Sequence, residues 1–190
     1  MSPVTYPRPV ARLLLVGFLA LLAGCATARA TASRTTSDGW TVLRVPAGSD
    51  VREVSWKAGA PGAGWARDSA RTADFAWVHR DLPATIYGDS TCGRRYDDVP
   101  LTVLVNHLTF GFEGATTESQ VDMEIAGRAG LRRVFTAKLD GIPVKIASTV
   151  VKKGPCIFDV VYVTARPATF DDELAAYEAV VADLVIQERR

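Results

Sequence analysis

Gln120-Val121-Asp122-Met123-Glu124-Ile125 alternates polar and apolar residues without a break. In an extended chain successive side chains point to opposite faces, so Val121, Met123 and Ile125 share one face and Gln120, Asp122 and Glu124 the other, the pattern of a half-buried strand. Residues 131–139 continue as a second strand. Asp140-Gly141 is a two-residue hairpin signal, and Ile142, Val144, Ile146, Ser148 and Val150 alternate beyond it. Lys153-Gly154-Pro155 turns the chain again, and residues 156–165, more apolar, read as a central strand. Four consecutive strands joined by short turns make an antiparallel meander.

Downstream of the meander, Thr169 and Asp172 have capping-box spacing and open a helix whose Phe170, Leu174, Tyr177, Val181 and Leu184 recur at helical intervals, giving one stripe for the sheet. Asp171-Asp172-Glu173 falls in the first turn, where the helix dipole favours negative charge, so no carboxylate chemistry is needed to explain it. Upstream, residues 40–46, 51–56, 75–78 and 84–87 read as strands. The stretch Gly59-Ala60-Pro61-Gly62-Ala63-Gly64 breaks regular structure and reads as a mobile loop tipped by Trp65, which either touches a partner or lipid or folds back on the core. Asp97 or Asp98 is expected to cap a helix with an early Pro100, burying Leu101, Leu104, Val105 and Leu108 and ending at Gly111. His107 on that helix reads as an ordinary surface or hydrogen-bonded histidine. The expected class is α+β: a curved antiparallel sheet, its C-terminal part the four-strand meander, with two main helices packed against it.

The N-terminus carries Arg8 and Arg12, then an apolar run at 13–23, too short for the ~20 residues that span a bilayer. Leu22-Ala23-Gly24-Cys25 follows and resembles the bacterial lipobox. That resemblance implies a signal peptide at 1–24, cleavage before Cys25, and acyl chains, palmitate among them, on Cys25, enough for stable membrane anchoring. Ala26 stands where inner-membrane lipoproteins of many Gram-negative bacteria resemble one another in carrying Asp, so in a host with two membranes the outer one is expected. Residues 25–37 hold Ala, Thr, Ser and Arg with no large apolar side chain and are expected to be a flexible tether, followed by a single domain at 38–190.

The whole chain holds 22 Lys and Arg against 21 Asp and Glu; without 1–24, which contains Arg8 and Arg12, the balance is 20 to 21. A nearly neutral domain is expected to have no electrostatic footprint for nucleic acid and no block of like charge for an anionic membrane surface. With Cys25 lipidated, Cys92 and Cys156 remain in an oxidising compartment, and a disulfide between them is the leading reading. A redox pair or zinc site is weaker, because there is no Cys-x-x-Cys and the only histidines are His79 and His107. No phosphate loop, His-Glu-x-x-His or acidic cage for calcium occurs, so no catalytic residue, metal ligand or cofactor is assigned.

Residues 139–143 and 158–165, with the closing helix, resemble the C-terminal half of PsbP-like domains. The family includes non-enzymatic accessory subunits of membrane complexes and many bacterial lipoproteins, and the resemblance transfers no site residue. A second string, Gly88-Asp89-Ser90-Thr91, resembles the nucleophile block of GDS-type esterases. Such an enzyme needs a histidine near the C-terminus, an oxyanion-hole Asn in a Gly-x-Asn-Asp block and a parallel sheet. Here the last histidine is His107, and the only asparagine, Asn106, lies outside such a block. The leading expectation is a lipid-anchored accessory or binding subunit of an envelope protein complex. The alternatives are a carrier of a small or lipid ligand and, behind it, the esterase.

Overall fold

A computed structural model describes residues 33–69 and 73–190. Cys25, the expected signal peptide and most of the expected tether lie outside these residues.

Among the described residues eleven strands appear in chain order: β1 (Ser33–Thr35), β2 (Thr41–Arg44), β3 (Glu53–Lys57), β4 (Trp65–Asp68), β5 (Phe75–His79), β6 (Ala84–Cys92), β7 (Glu113–Ile125), β8 (Arg128–Leu139), β9 (Ile142–Lys153), β10 (Cys156–Thr164) and β11 (Val185–Arg189). The helices are α1 (Leu101–His107) and α2 (Phe170–Ala182). A seven-stranded antiparallel sheet has the order β4-β5-β6-β10-β9-β8-β7, and a four-stranded sheet the order β1-β2-β3-β11. The fold is therefore α+β with antiparallel sheets. The meander is β7 to β10, but it is only part of its sheet, because β6 pairs with the free edge of β10 and extends the sheet through β5 and β4.

β10 is central, as its composition predicts, and buries side chains on both faces. Cys156, Phe158, Val160 and Tyr162 face one core, while Ile157 and Val161 face two clusters on the other side. On the first face α2 contributes Phe170, Tyr177, Val180 and Val181, and the small sheet contributes Leu43, Val54, Trp56 and Ile186. Trp56 is fully buried, its ring 5.0 Å from Phe75 and 5.2 Å from Phe158, and Phe170 stacks on Tyr162 at 5.1 Å. On the second face Leu104 and Val105 of α1 pack against Leu131, Val150 and Ile157. Losing a side chain the size of Trp56 from such a core costs about 3–5 kcal/mol, so the four-stranded sheet is held by its inward residues rather than by its short strands.

Several expectations are corrected. Of the two readings of Trp65 the fold-back holds and the mobile loop does not: it opens β4, is 5 % exposed, and donates through Nε1 to Glu173 at 3.1 Å. The N-cap of α1 is Pro100 with no side-chain cap bond, so neither Asp97 nor Asp98 caps it. Thr169 occupies the N-cap position of α2, but its hydroxyl donates backward to the Arg166 carbonyl at 3.0 Å instead of capping. β7 keeps the expected alternation yet is an edge strand, and of its apolar residues only Ile125 is buried. Ser33–Thr35 form β1 within the segment expected to be tether. The chain also adds β11 after the closing helix, pairing with β3.

Cys92 and Cys156 stand directly opposite each other at one end of the β6–β10 ladder and are joined by an S–S bond of 1.99 Å. The bridge closes a loop of sequence separation 64, for which the chain-entropy argument gives about 4 kcal/mol of stabilisation. Denaturant unfolding of Cys92→Ala/Cys156→Ala is expected to show a loss of about 3–4 kcal/mol with native-like secondary structure retained; an unchanged midpoint would show that the bridge does not constrain the unfolded chain.

Candidate functional site

The string Gly88-Asp89-Ser90-Thr91 lies inside β6, where each of its first three residues has a structural partner. Gly88 is opposite Phe75, and a Cβ on it would stand 2.1 Å from the Phe75 ring. The Ser90 hydroxyl donates to the Asp74 carboxylate, which also accepts the Trp56 Nε1–H at 2.9 Å. Burial pushes the Asp74 carboxyl upward, and the bonds from Ser90 and Trp56 offset only part of that. Ser90 thus helps satisfy a buried acid, and no histidine is bonded to it among the described residues.

The two histidines are placed elsewhere. His79 Nδ1 accepts the backbone N–H groups of Asp81 and Leu82, each at 3.1 Å, which leaves the proton of the neutral ring on Nε2. That nitrogen lies 3.5 Å from Glu173 Oε1, and the ring meets Trp65 edge-on at 5.2 Å. Glu173, expected to serve only the helix dipole, accepts from Trp65 and stands against His79, and so ties the β4–β5 hairpin to α2. His107 sits beside Phe110, with ring centroids 5.8 Å apart.

On the α1 face, Asp89 is directly opposite Asp159 across the β6–β10 pair. Like charges facing each other across strands oppose folding. Burial first, and then the Asp89 charge, push the Asp159 carboxyl up to about 7, while Asp89 itself is raised by burial. Tyr87, two residues along the same face, is raised by burial and by both carboxylates. Ser148, fully buried and diagonal to Asp159 across β9 and β10, is the one described residue with a buried side-chain polar atom lacking a hydrogen-bond partner. Of these groups, Asp159 is the one placed to hold a proton near neutrality. Among the described residues no group of three His, Cys, Asp or Glu is placed to hold a metal ion.

The opposite face carries an open groove. The β7–β8 hairpin runs past the C-terminal end of α2, and the gap of about 310 Å³ is lined by Met123, Ile125, Val181 and Ala182, with Arg132 and Glu178 beside them. Arg132 and Glu178 form an ion pair. The floor is fixed by Tyr177, whose hydroxyl bonds to Thr149 and to the Val160 carbonyl. Val121, on the same strand face as Met123, is 46 % exposed and extends the apolar surface outward. A volume near 300 Å³ with apolar walls and a few polar groups is at the small end of ligand sites. The alternation at 120–125 contained the signal for this groove; what hid it was the assumption that every apolar residue on a strand is covered.

No family model matches the chain, and no curated protein matches it. Solved structures do. LpqN of Mycobacterium tuberculosis, described as involved in cell envelope biogenesis, aligns with a TM-score of 0.56 at 11% identity, covering 78% of this chain and 91% of that one. The solution structure of cyanobacterial PsbP (CyanoP) from Synechocystis aligns with a TM-score of 0.48 at 12% identity, covering 87% of this chain and 99% of that one. The likeness to LpqN is one of fold.

Because Asp159 keeps its proton to higher pH in the folded chain than in the unfolded one, its ionisation opposes folding. The penalty is absent below about pH 4, grows as pH rises toward about 7, and is complete above that. Asp159→Asn should therefore stabilise the protein by roughly 1–3 kcal/mol at pH 8 and by little at pH 4; a gain of equal size at both would refute the assignment. Gly88→Ala should cost about 2 kcal/mol or more in urea unfolding, because Phe75 is itself packed between Trp56 and Trp77 and has no room to give.

Proposed function

We propose that this protein is a lipid-anchored component of the bacterial cell envelope that works by binding, as an accessory subunit of an envelope protein complex. In this reading the lipobox Leu22-Ala23-Gly24-Cys25 supplies the anchor at Cys25, and Ala26 directs the protein to the outer membrane. The observation that carries the binding role is the groove between α2 and the β7–β8 hairpin, whose apolar walls stand open beside the exposed Val121. Open apolar surface beside a polar rim is what partner-binding sites retain. In support, among the described residues no helix is long and apolar enough to cross a membrane, which fits attachment from one side, and the fold is shared with LpqN.

A second reading has support from the same groove. An apolar slot of this size has the chemistry of a site for one alkyl chain, so a carrier of a small or lipid ligand is the alternative. The esterase is not pursued, since Ser90 is bonded to Asp74 and the sheet is antiparallel throughout.

Ala182→Arg tests the groove. Ala182 is exposed at the end of α2, where a cation suits the helix dipole, so the variant should melt within about 2 °C of the parent while its side chain fills the slot. The accessory reading expects a partner that co-elutes with the detergent-extracted parent and is lost from the variant. The carrier reading expects instead a stoichiometric lipid in organic extracts of the parent, absent from the variant. A parent that elutes alone and empty would contradict both.

A further inference from the structure

The four-stranded sheet has an outer face that the sequence disguises. Period-2 alternation sends Leu43, Val54, Trp56 and Ile186 inward and leaves Arg34, Val42, Arg44, Glu53, Ser55, Lys57, Val185, Gln187 and Arg189 outward. Arg44 and Arg189 flank Glu53 in one cross-strand row, and Arg34 lies next to Val42 in the adjoining row. Four cations thus share the face with one carboxylate, Asp38 standing at its rim beside Lys57. Scattered over about 155 residues, these cations form no run; strand pairing alone assembles them.

Two further observations bear on their use. Arg34, Arg44 and Arg189 are exposed, and none of their guanidinium groups has a hydrogen bond or ion pair within the described structure. A depression of about 310 Å³ lies among Ser33, Arg34, Val42, Arg44 and Glu53, so two of these guanidinium groups border a concave space. The face is also where the chain arrives. β1 is its edge strand, and Ser33 follows Cys25 by eight residues, a covalent path of at most about 29 Å. If Cys25 carries acyl chains, this sheet is the part of the fold tied nearest to the bilayer.

We propose that the outer face of the β1-β2-β3-β11 sheet docks on anionic phospholipid headgroups, with Arg34, Arg44 and Arg189 pairing to phosphate. Arginine presents a planar fork of donors that matches phosphate oxygens, and a basic patch held within tether range of a charged surface adds a second attachment to the lipid. The docking fixes which way the domain faces: the small sheet lies on the membrane, and the α2 groove is presented to its side. The inference rests on the anchor reading, and the experiment separates the two.

The full-length processed protein is reconstituted into nanodiscs of phosphatidylcholine alone, or of phosphatidylcholine with about one part in four phosphatidylglycerol, and backbone hydrogen exchange is followed. Each cation at an anionic surface contributes roughly fivefold, so exchange in β1 and β2 is expected to slow by on the order of tenfold or more in the anionic discs only. The slowing should vanish at about 1 M salt, where the screening length falls to about 3 Å, and in Arg34→Gln/Arg44→Gln/Arg189→Gln. Equal exchange in the two lipid compositions, or slowing that persists in the triple variant, would overturn the docking. The anchor is read separately: Cys25→Ser protein that stays with the membrane after an alkaline wash defeats the anchor, whatever the exchange data show.

Discussion

The whole fold depends on β10 being buried on both faces. A strand in that position must supply two cores at once, and residues 156–164 do so by alternating large side chains toward α2 and the small sheet with Ile157 and Val161 toward α1. Everything placed on either face takes its register from this strand, because β6 and β9 pair along its full length. The bridge at Cys92 and Cys156 fixes one end of the β6–β10 ladder. Asp159 is the one charged position on β10, and its raised pKa is the direct consequence of placing a carboxyl between Ile157 and Val161, opposite Asp89.

From that strand outward the architecture explains which surfaces are left for function. α2 and the four-stranded sheet share one face of the large sheet, and together they cover β4 to β10 but not the far part of β7 and β8. The exposed apolar residues of β7 and the groove beside α2 come from this mismatch in reach. The polar groups that sequence inspection singles out are, by contrast, consumed by the fold. Ser90 and Trp56 satisfy Asp74, while Trp65 and His79 converge on Glu173. A buried acid with two donors and a half-buried acid with two contacts lower the cost of burying polar groups without implying a reaction.

Much of this was legible in the sequence, and the rest was not for identifiable reasons. Strands β7 to β10 declared themselves through period-2 alternation and the Asp140-Gly141 turn, and Asp140 does adopt a positive φ of 50° there. The burying residues of α1 and α2 were readable from helical spacing. What failed was chemistry that depends on partners remote in sequence. Trp65 is 108 residues from Glu173, so the sequence near Trp65 offers both a mobile tip and a fold-back and cannot name the partner that decides between them. β11 was missed because Val185-Ile186-Gln187-Glu188-Arg189 is short and its partner β3 lies over a hundred residues earlier. The basic face was invisible because its cations come from strands at opposite ends of the chain. The groove was concealed by a correct strand assignment joined to a wrong assumption about its cover.

On the proposed function, the molecule is a cystine-stapled binding domain on a lipid tether. The most direct test is the intact mass of the membrane-purified protein, measured with and without reduction before alkylation. The account predicts a chain beginning at Cys25 with added acyl mass, in which Cys92 and Cys156 take up alkylating reagent only after reduction. An unmodified Cys25, or a chain that still begins at Met1, would contradict it.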